Sequence, residues 1–153
     1  QEAQAGRKGF ALGVHAGAGF TNTTGLSTAA QSRLGGALQI DLGWGITDQL
    51  VVHFSSKELW FTFAGELTLA EVAGFGATYH LDPDPGMYVQ AIVASWSVHA
   101  QPTGPIATEL GPGVWVNLGY EFMPHWAVQI GGGWGSGDTL TSMQSQLTVG
   151  YLL

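Results

Sequence analysis

The chain has 153 residues, enough for one domain, and sets 4 Lys or Arg against 11 Asp or Glu for a formal net charge of −7. Arg7, Lys8, Arg33 and Lys57 are its only cations, which leaves no basic patch for nucleic acid, and with no cysteine there is neither a disulfide framework nor a thiolate metal site. Charged residues are 10% of the chain, far below the roughly 25% usual in soluble domains, yet no run of about 18 apolar residues is present to form a transmembrane helix.

Few charges without an apolar run suit a membrane barrel, where half of each strand faces hydrocarbon and the other half is polar but neutral. Residues 1–8 are polar and unpatterned and read as a short periplasmic lead, with Gln1 as the mature terminus left by signal cleavage; the barrel domain is then 9–153. The first strand, Gly9 to about Phe20, alternates Phe10, Leu12, Val14, Ala16, Ala18 and Phe20 with Gly13, His15, Gly17 and Gly19. Thr21 to Arg33 has no periodicity and is expected to be an outer loop. The second strand, Leu34 to Ile46, sets Leu38, Ile40, Leu42 and Trp44 against Gln39, Asp41 and Gly43, and Thr47-Asp48-Gln49 makes a tight turn.

In the third strand Leu50, Val52 and Phe54 oppose Val51, His53 and Ser55, but the register is lost beyond Ser56, and a second outer loop is expected between Ser56 and Glu66. The fourth strand places Ala73, Phe75, Ala77, Tyr79 and Leu81 together. That parity sends Glu71 toward lipid, so a bulge is expected there, or a strand that has already left the membrane. Asp82 to Gly86 is a Pro- and Gly-rich turn. Met87 to His99 carries apolar residues on both faces and leaves its parity open; His99 to Gly111 reads as the third outer loop.

Gly113 to Trp134 is the clearest hairpin. Val114, Val116, Leu118, Tyr120 and Phe122 oppose Trp115, Asn117, Gly119 and Glu121; after Met123-Pro124-His125, Trp126, Val128, Ile130 and Trp134 oppose Ala127, Gln129, Gly131 and Gly133. A fourth loop, about Gly135 to Ser142, leads to a last strand in which Met143, Leu147, Val149, Tyr151 and Leu153 alternate with Gln144, Gln146, Thr148 and Gly150. The reading is all-β: an eight-stranded antiparallel transmembrane β-barrel with short periplasmic turns, longer outer loops and both termini periplasmic. Aromatic girdles fall out of this assignment, with Phe10, Trp44, Tyr79, Tyr88, Phe122, Trp126 and Tyr151 at the short-turn end and Phe20, Trp60, Trp96 and Trp134 at the loop end.

Eight strands enclose a space that side chains fill, so no diffusion pore is expected. His15, Asp41 and His53 are expected to form one lumenal cluster, with Glu121 on the same inward face. A buried Asp needs a partner, and the cluster reads as a structural network or as a metal or proton-responsive site, the former preferred; no metal and no cofactor is assigned. The His53-Phe54-Ser55 spacing puts a base and a nucleophile on one face, but that face is the lumen, whereas acyl chains lie outside. Gly131-Gly132-Gly133 is followed by no helix signal and implies no phosphate loop. The outer loops carry little charge, which fits a barrel packed against another protein in an outer-membrane assembly as well as a barrel standing alone.

Gly119 to Val128, GlyTyrGluPheMetProHisTrpAlaVal, and the terminal Gly150-Tyr151-Leu152-Leu153 resemble the small eight-stranded outer-membrane barrels of the OmpA/OmpX type, although Leu153 stands where the terminal signal usually has Phe. The resemblance implies a porin-like membrane protein of a Gram-negative outer membrane, in contact with lipid and lipopolysaccharide and folded by the barrel-assembly machinery. It does not imply one activity. A non-enzymatic structural or accessory role is expected. The alternatives are a lipid-modifying enzyme similar to the lipid A deacylases, which use a His, Ser and acid triad, and a carrier of small hydrophobic molecules.

Overall fold

The structure, a computed structural model, describes residues 7–25, 28–63, 66–81, 86–100 and 107–153. Eight strands follow one another in chain order: β1 (Gly9–Gly25), β2 (Thr28–Gly45), β3 (Leu50–Phe63), β4 (Glu66–His80), β5 (Met87–Ala100), β6 (Ala107–Met123), β7 (Trp126–Ser136) and β8 (Leu140–Leu152). Each pairs antiparallel with the next, and β8 returns to β1 to close the barrel. Backbone bonds from Leu153 N to Leu12 O, 2.7 Å, and from Leu12 N to Leu153 O, 3.1 Å, tie the seam at its lower end.

The two-residue alternation decides which side chains meet lipid. Phe75 and Val93 stand opposite each other on β4 and β5 and are three-quarters exposed. They belong to a belt that includes Leu42, Val52, Val116, Leu118, Ile130 and Leu147. So continuous an apolar outer surface is incompatible with water and matches the hydrocarbon band of a membrane barrel. At its lower rim Phe10 pairs with Trp44 and Trp126 with Tyr151, the last two rings edge to face at 5.6 Å; Tyr79 and Phe122 face outward there too. Phe20, Trp60 and Trp134 face outward above.

Two expected girdle members face the other way. Tyr88 and Trp96 share the inward parity of β5 and are buried in the lumen. Glycines make room for their rings: a Cβ at Gly119, on the adjacent β6, would lie 2.0 Å from Tyr88 Cζ, and one at Gly135, on β7 two strands away, would lie 2.1 Å from Trp96 Cγ.

The outer side is the longer side, but much of the added length is paired strand rather than irregular loop. Thr21 to Arg33 was expected to be a loop, yet Thr21 pairs with Arg33 and Asn22 with Ser32. Hydrophobic alternation fades there because both faces of the ribbon are polar beyond the belt, while backbone pairing continues. Likewise β3 runs unbroken through Phe63 in place of the loop expected between Ser56 and Glu66, and β7 and β8 extend to Ser136 and Leu140 with only 137–139 between them. Of the segment His99 to Gly111, β5 and β6 take both flanks, and 101–106 lie outside the described residues, as do most of the lead 1–8 and most of the turn at Asp82 to Gly86.

No bulge occurs at Glu71. The β3–β4 and β4–β5 ladders keep register throughout, and Glu71 stands opposite Glu58 on the outward face. Hydrogen bonds replace the expected distortion: Ser56 Oγ donates to Glu71 Oε1 at 3.0 Å and Trp60 Nε1 to Glu58 Oε2 at 3.0 Å.

Candidate functional site in the lumen

The inward side chains divide the lumen into two layers. Toward the outer side Leu59, Val72, Ile92, Trp96 and Trp115 form an apolar plug, with Trp96 and Leu59 wholly inaccessible. Trp115 fits because β7 is bare beside it: a Cβ at Gly133 would lie 2.3 Å from Trp115 Cε3.

Beneath the plug lies a layer of amides. Trp115 Nε1 donates to Asn117 Oδ1 at 2.6 Å, and Asn117 Nδ2 reaches Gln90 Oε1 and, at 2.9 Å, Gln129 Oε1. Lys57 continues the inward parity of His53 and Ser55. Its ammonium is fully buried, donates to Gln90 Oε1 at 3.0 Å and lies 5.6 Å from the Trp115 ring centroid. Buried, it needs both partners, since an unpaired ammonium in low dielectric is costly.

Asp41 is the counter-charge of this layer. Gln39 Nε2 donates to its Oδ2 and Ser55 Oγ to its Oδ1, while His53 Nδ1 stands 3.9 Å from Oδ1. Asn117 Nδ2, 3.5 Å from Gln39 Oε1, connects the Asp41 group to Gln90 and Lys57. The cation and the carboxylate are thus joined through neutral amides rather than in direct contact.

Of the four residues expected to cluster, all face inward, but they make two groups. His53 approaches Asp41, and His15 sits opposite Gln39 and borders the same cavity. Glu121 stands apart at the lower mouth, where it pairs with the Arg7 guanidinium and accepts the backbone N–H of His125 at 3.3 Å. The Ser55 hydroxyl points its proton at Asp41, not at His53, whose Nε2 instead meets Thr78 Oγ1 at 3.0 Å. Among the described residues no three His, Asp or Glu side chains converge as metal ligands. Lys57, His80 and Gln90 are not placed in the lumen by the sequence reading, which puts Tyr88 in the outer girdle and Asn117 on the inward face; carrying the period past Ser56 finds Lys57, and even parity for β5 finds Tyr88 and Gln90.

Below the amide layer a cavity of about 520 Å³ reaches the lower mouth, where Lys8 and Asp48 pair at 3.6 Å. On the lipid side a groove of about 470 Å³ lies over Gly132 between Val114, Trp134 and Met143, but the β6–β7 and β7–β8 ladders beneath it are continuous. At the outer rim Thr139 donates to Glu109 from both its hydroxyl and its backbone N–H, which holds that carboxyl below the usual carboxylate range.

No protein-family model and no curated protein matches the chain. Solved structures do. Ail, the attachment invasion locus protein of Yersinia pestis, superposes with a TM-score of 0.74 at 10% identity, over 95% of this chain and 99% of that one. Neisserial surface protein A gives 0.64 at 18% identity over 93% and 96%, and OprG of Pseudomonas aeruginosa gives 0.61 at 9% over 97% and 98%. At these identities the likeness is one of fold: that of the small eight-stranded outer-membrane barrels.

Proposed function

We propose that this chain, built on the fold of the small outer-membrane barrels, resides in a bacterial outer membrane with both termini periplasmic and acts there as a non-conducting structural or accessory barrel. The observation that carries the reading is the plug. Leu59, Trp96 and Trp115 occlude the outer half of the lumen, so neither ions nor solutes have a wet path through it. Reconstitution into planar bilayers is expected to produce no channel steps; discrete, reproducible conductance would refute a sealed lumen.

The accessory part of the reading rests on the outer belt, which leaves the whole circumference available to lipid or to a neighbouring protein. Native mass spectrometry of the protein extracted in mild detergent tests it: fixed-stoichiometry companions support a subunit, and a bare barrel supports a solitary one. The lipid-hydrolase alternative gains nothing from His53 and Ser55, which face the lumen and are not hydrogen-bonded as base and nucleophile. The carrier alternative requires a lateral opening, and the unbroken ladders under the Gly132 groove give it no support.

A further inference from the structure

The lower mouth of the lumenal cavity is crossed by a segment that belongs to no strand. Arg7 and Lys8 precede Gly9, which is the first residue of β1 and the partner of Gly45 on β2. Gly9 has a φ of +107°, in the region that L side chains rarely adopt, although a Cβ there would meet nothing within 4 Å. Glycine is needed here for backbone direction and not for space: the chain bends sharply. What it bends over is Gly45, where a Cβ would overlap the carbonyl oxygen of Arg7. Two facing glycines, one as bend and one as seat, lay residues 7–8 across the end of β2.

Charges fasten this strap at two points. The Arg7 guanidinium pairs with Glu121 on β6, the fourth strand round from β2 in either direction, so the pair spans the mouth from side to side. Both side chains are largely shielded, Arg7 at 18% exposure and Glu121 at 6%. Lys8 Nζ lies 3.6 Å from Asp48 in the turn after β2, with both side chains open to solvent. An exposed pair contributes little, whereas breaking a shielded one leaves a charge without its partner. Arg7 with Glu121 is therefore the fastening, and Lys8 with Asp48 a weak tether. All four residues border the space of about 520 Å³.

We propose that residues 7–9 form a latch on the cavity, hinged at Gly9 and fastened by the Arg7–Glu121 pair, which controls whether molecules larger than water enter the lumen from the lower mouth. Strand pairing begins at Gly9, so the latch opens without breaking the barrel. Glu121 also accepts the backbone N–H of His125 at 3.3 Å, which fixes the carboxylate against the β6–β7 turn and makes the arginine the moving part. The plug of Leu59, Trp96 and Trp115 lies at the other end of the lumen, and the latch does not rest on it.

The chain has no cysteine, so one placed in the cavity reports alone. Ala11 shares the inward parity of Gly13 and His15 and borders the cavity, and Ala11→Cys adds one sulfur there. In lipid nanodiscs the rate at which N-ethylmaleimide modifies this thiol is divided by the rate for the smaller methyl methanethiosulfonate, which corrects for general loosening and for ionisation of the thiol. Arg7→Gln and Glu121→Gln each remove one charge of the fastening, and the second keeps an oxygen for His125. Each should raise the ratio about tenfold, the shift in opening expected from one lost charge-assisted hydrogen bond. Gly9→Ala, which strains the bend and touches no charge, should raise it too. An unchanged ratio in both charge variants overturns the latch, as do changes of opposite sign, which would report only the effect of charge on the thiol. A ratio in the Ala11→Cys barrel already equal to that of the unfolded chain overturns it as well. An unchanged ratio in Gly9→Ala overturns the hinge.

Discussion

Replacing Asp41 by Ala removes the acceptor of two side-chain hydrogen bonds, from Gln39 Nε2 and Ser55 Oγ, and the carboxylate that offsets Lys57. A hydrogen bond to a charged group contributes about 1.5–3 kcal/mol, so two amount to about 3–6 kcal/mol at most. Asp41 borders the cavity, where the freed Ser55 and Gln39 groups regain some solvation, which places the expected loss near the lower end, about 3 kcal/mol. Asp41→Asn keeps one oxygen for Ser55 but turns an N–H₂ toward Gln39, so about half that loss is expected. Urea unfolding of the barrel in lipid vesicles, read by tryptophan fluorescence, measures both. An Asp41→Ala barrel within about 1 kcal/mol of the parent would refute the coupled network, since one charge-assisted bond alone exceeds that. Equal losses in the two variants would assign the effect to charge rather than to hydrogen bonding.

Gly119→Ala puts a methyl where Tyr88 lies, 2.0 Å from Cζ, and should cost about 1–3 kcal/mol by overpacking; adding Tyr88→Leu should recover most of it in the same denaturation assay, and additive losses would disprove the contact. Glu71→Gln relieves like charges facing each other across β3 and β4 while an oxygen remains for Ser56, so a gain of about 0.2–1 kcal/mol is expected. A clear loss would show that the carboxylate makes an interaction an amide cannot. Trp115→Ala removes one of the two tryptophans of the plug and takes the cation–π partner of Lys57 with it; a loss of about 3–5 kcal/mol is expected, and a smaller one would mean the lumen recloses around the gap.

How far the sequence could be read follows from what its pattern records. Alternation reports a boundary between two solvents, so the lipid-crossing parts of β1, β2, β6, β7 and β8 were legible residue by residue, including the inward Trp115. Above the belt that boundary ends, and the paired strand of Thr21–Gly25 with Thr28–Arg33 reads as loop. At Glu71 the parity holds without the expected bulge, and the carboxyl finds a partner in Ser56 on β3, which lies 15 residues earlier in the chain. The lumenal cluster was half legible. The structure places His15, Asp41, His53 and Glu121 inward, while Asp41 takes Gln39 and Ser55 as its partners and Glu121 pairs with Arg7 from the lead. Which inward groups touch across the barrel depends on strand tilt and on rings swinging over glycines, neither of which a strand reveals on its own.

The pairing of rings with glycines has a consequence for how this lumen can change over time. Tyr88 is seated over Gly119 and Trp115 over Gly133, each ring on one strand and its seat on the next. Enlarging a seat alone ejects a ring, and shrinking a ring alone opens a hole, so single steps in either direction are disfavoured. Drift through sequence space is therefore expected to proceed by double substitutions across a shared strand boundary. Among diverged copies of this barrel, Tyr88 with Gly119 and Trp115 with Gly133 should vary together or not at all, while the lipid-facing residues between them exchange freely among Leu, Val, Ile and Phe.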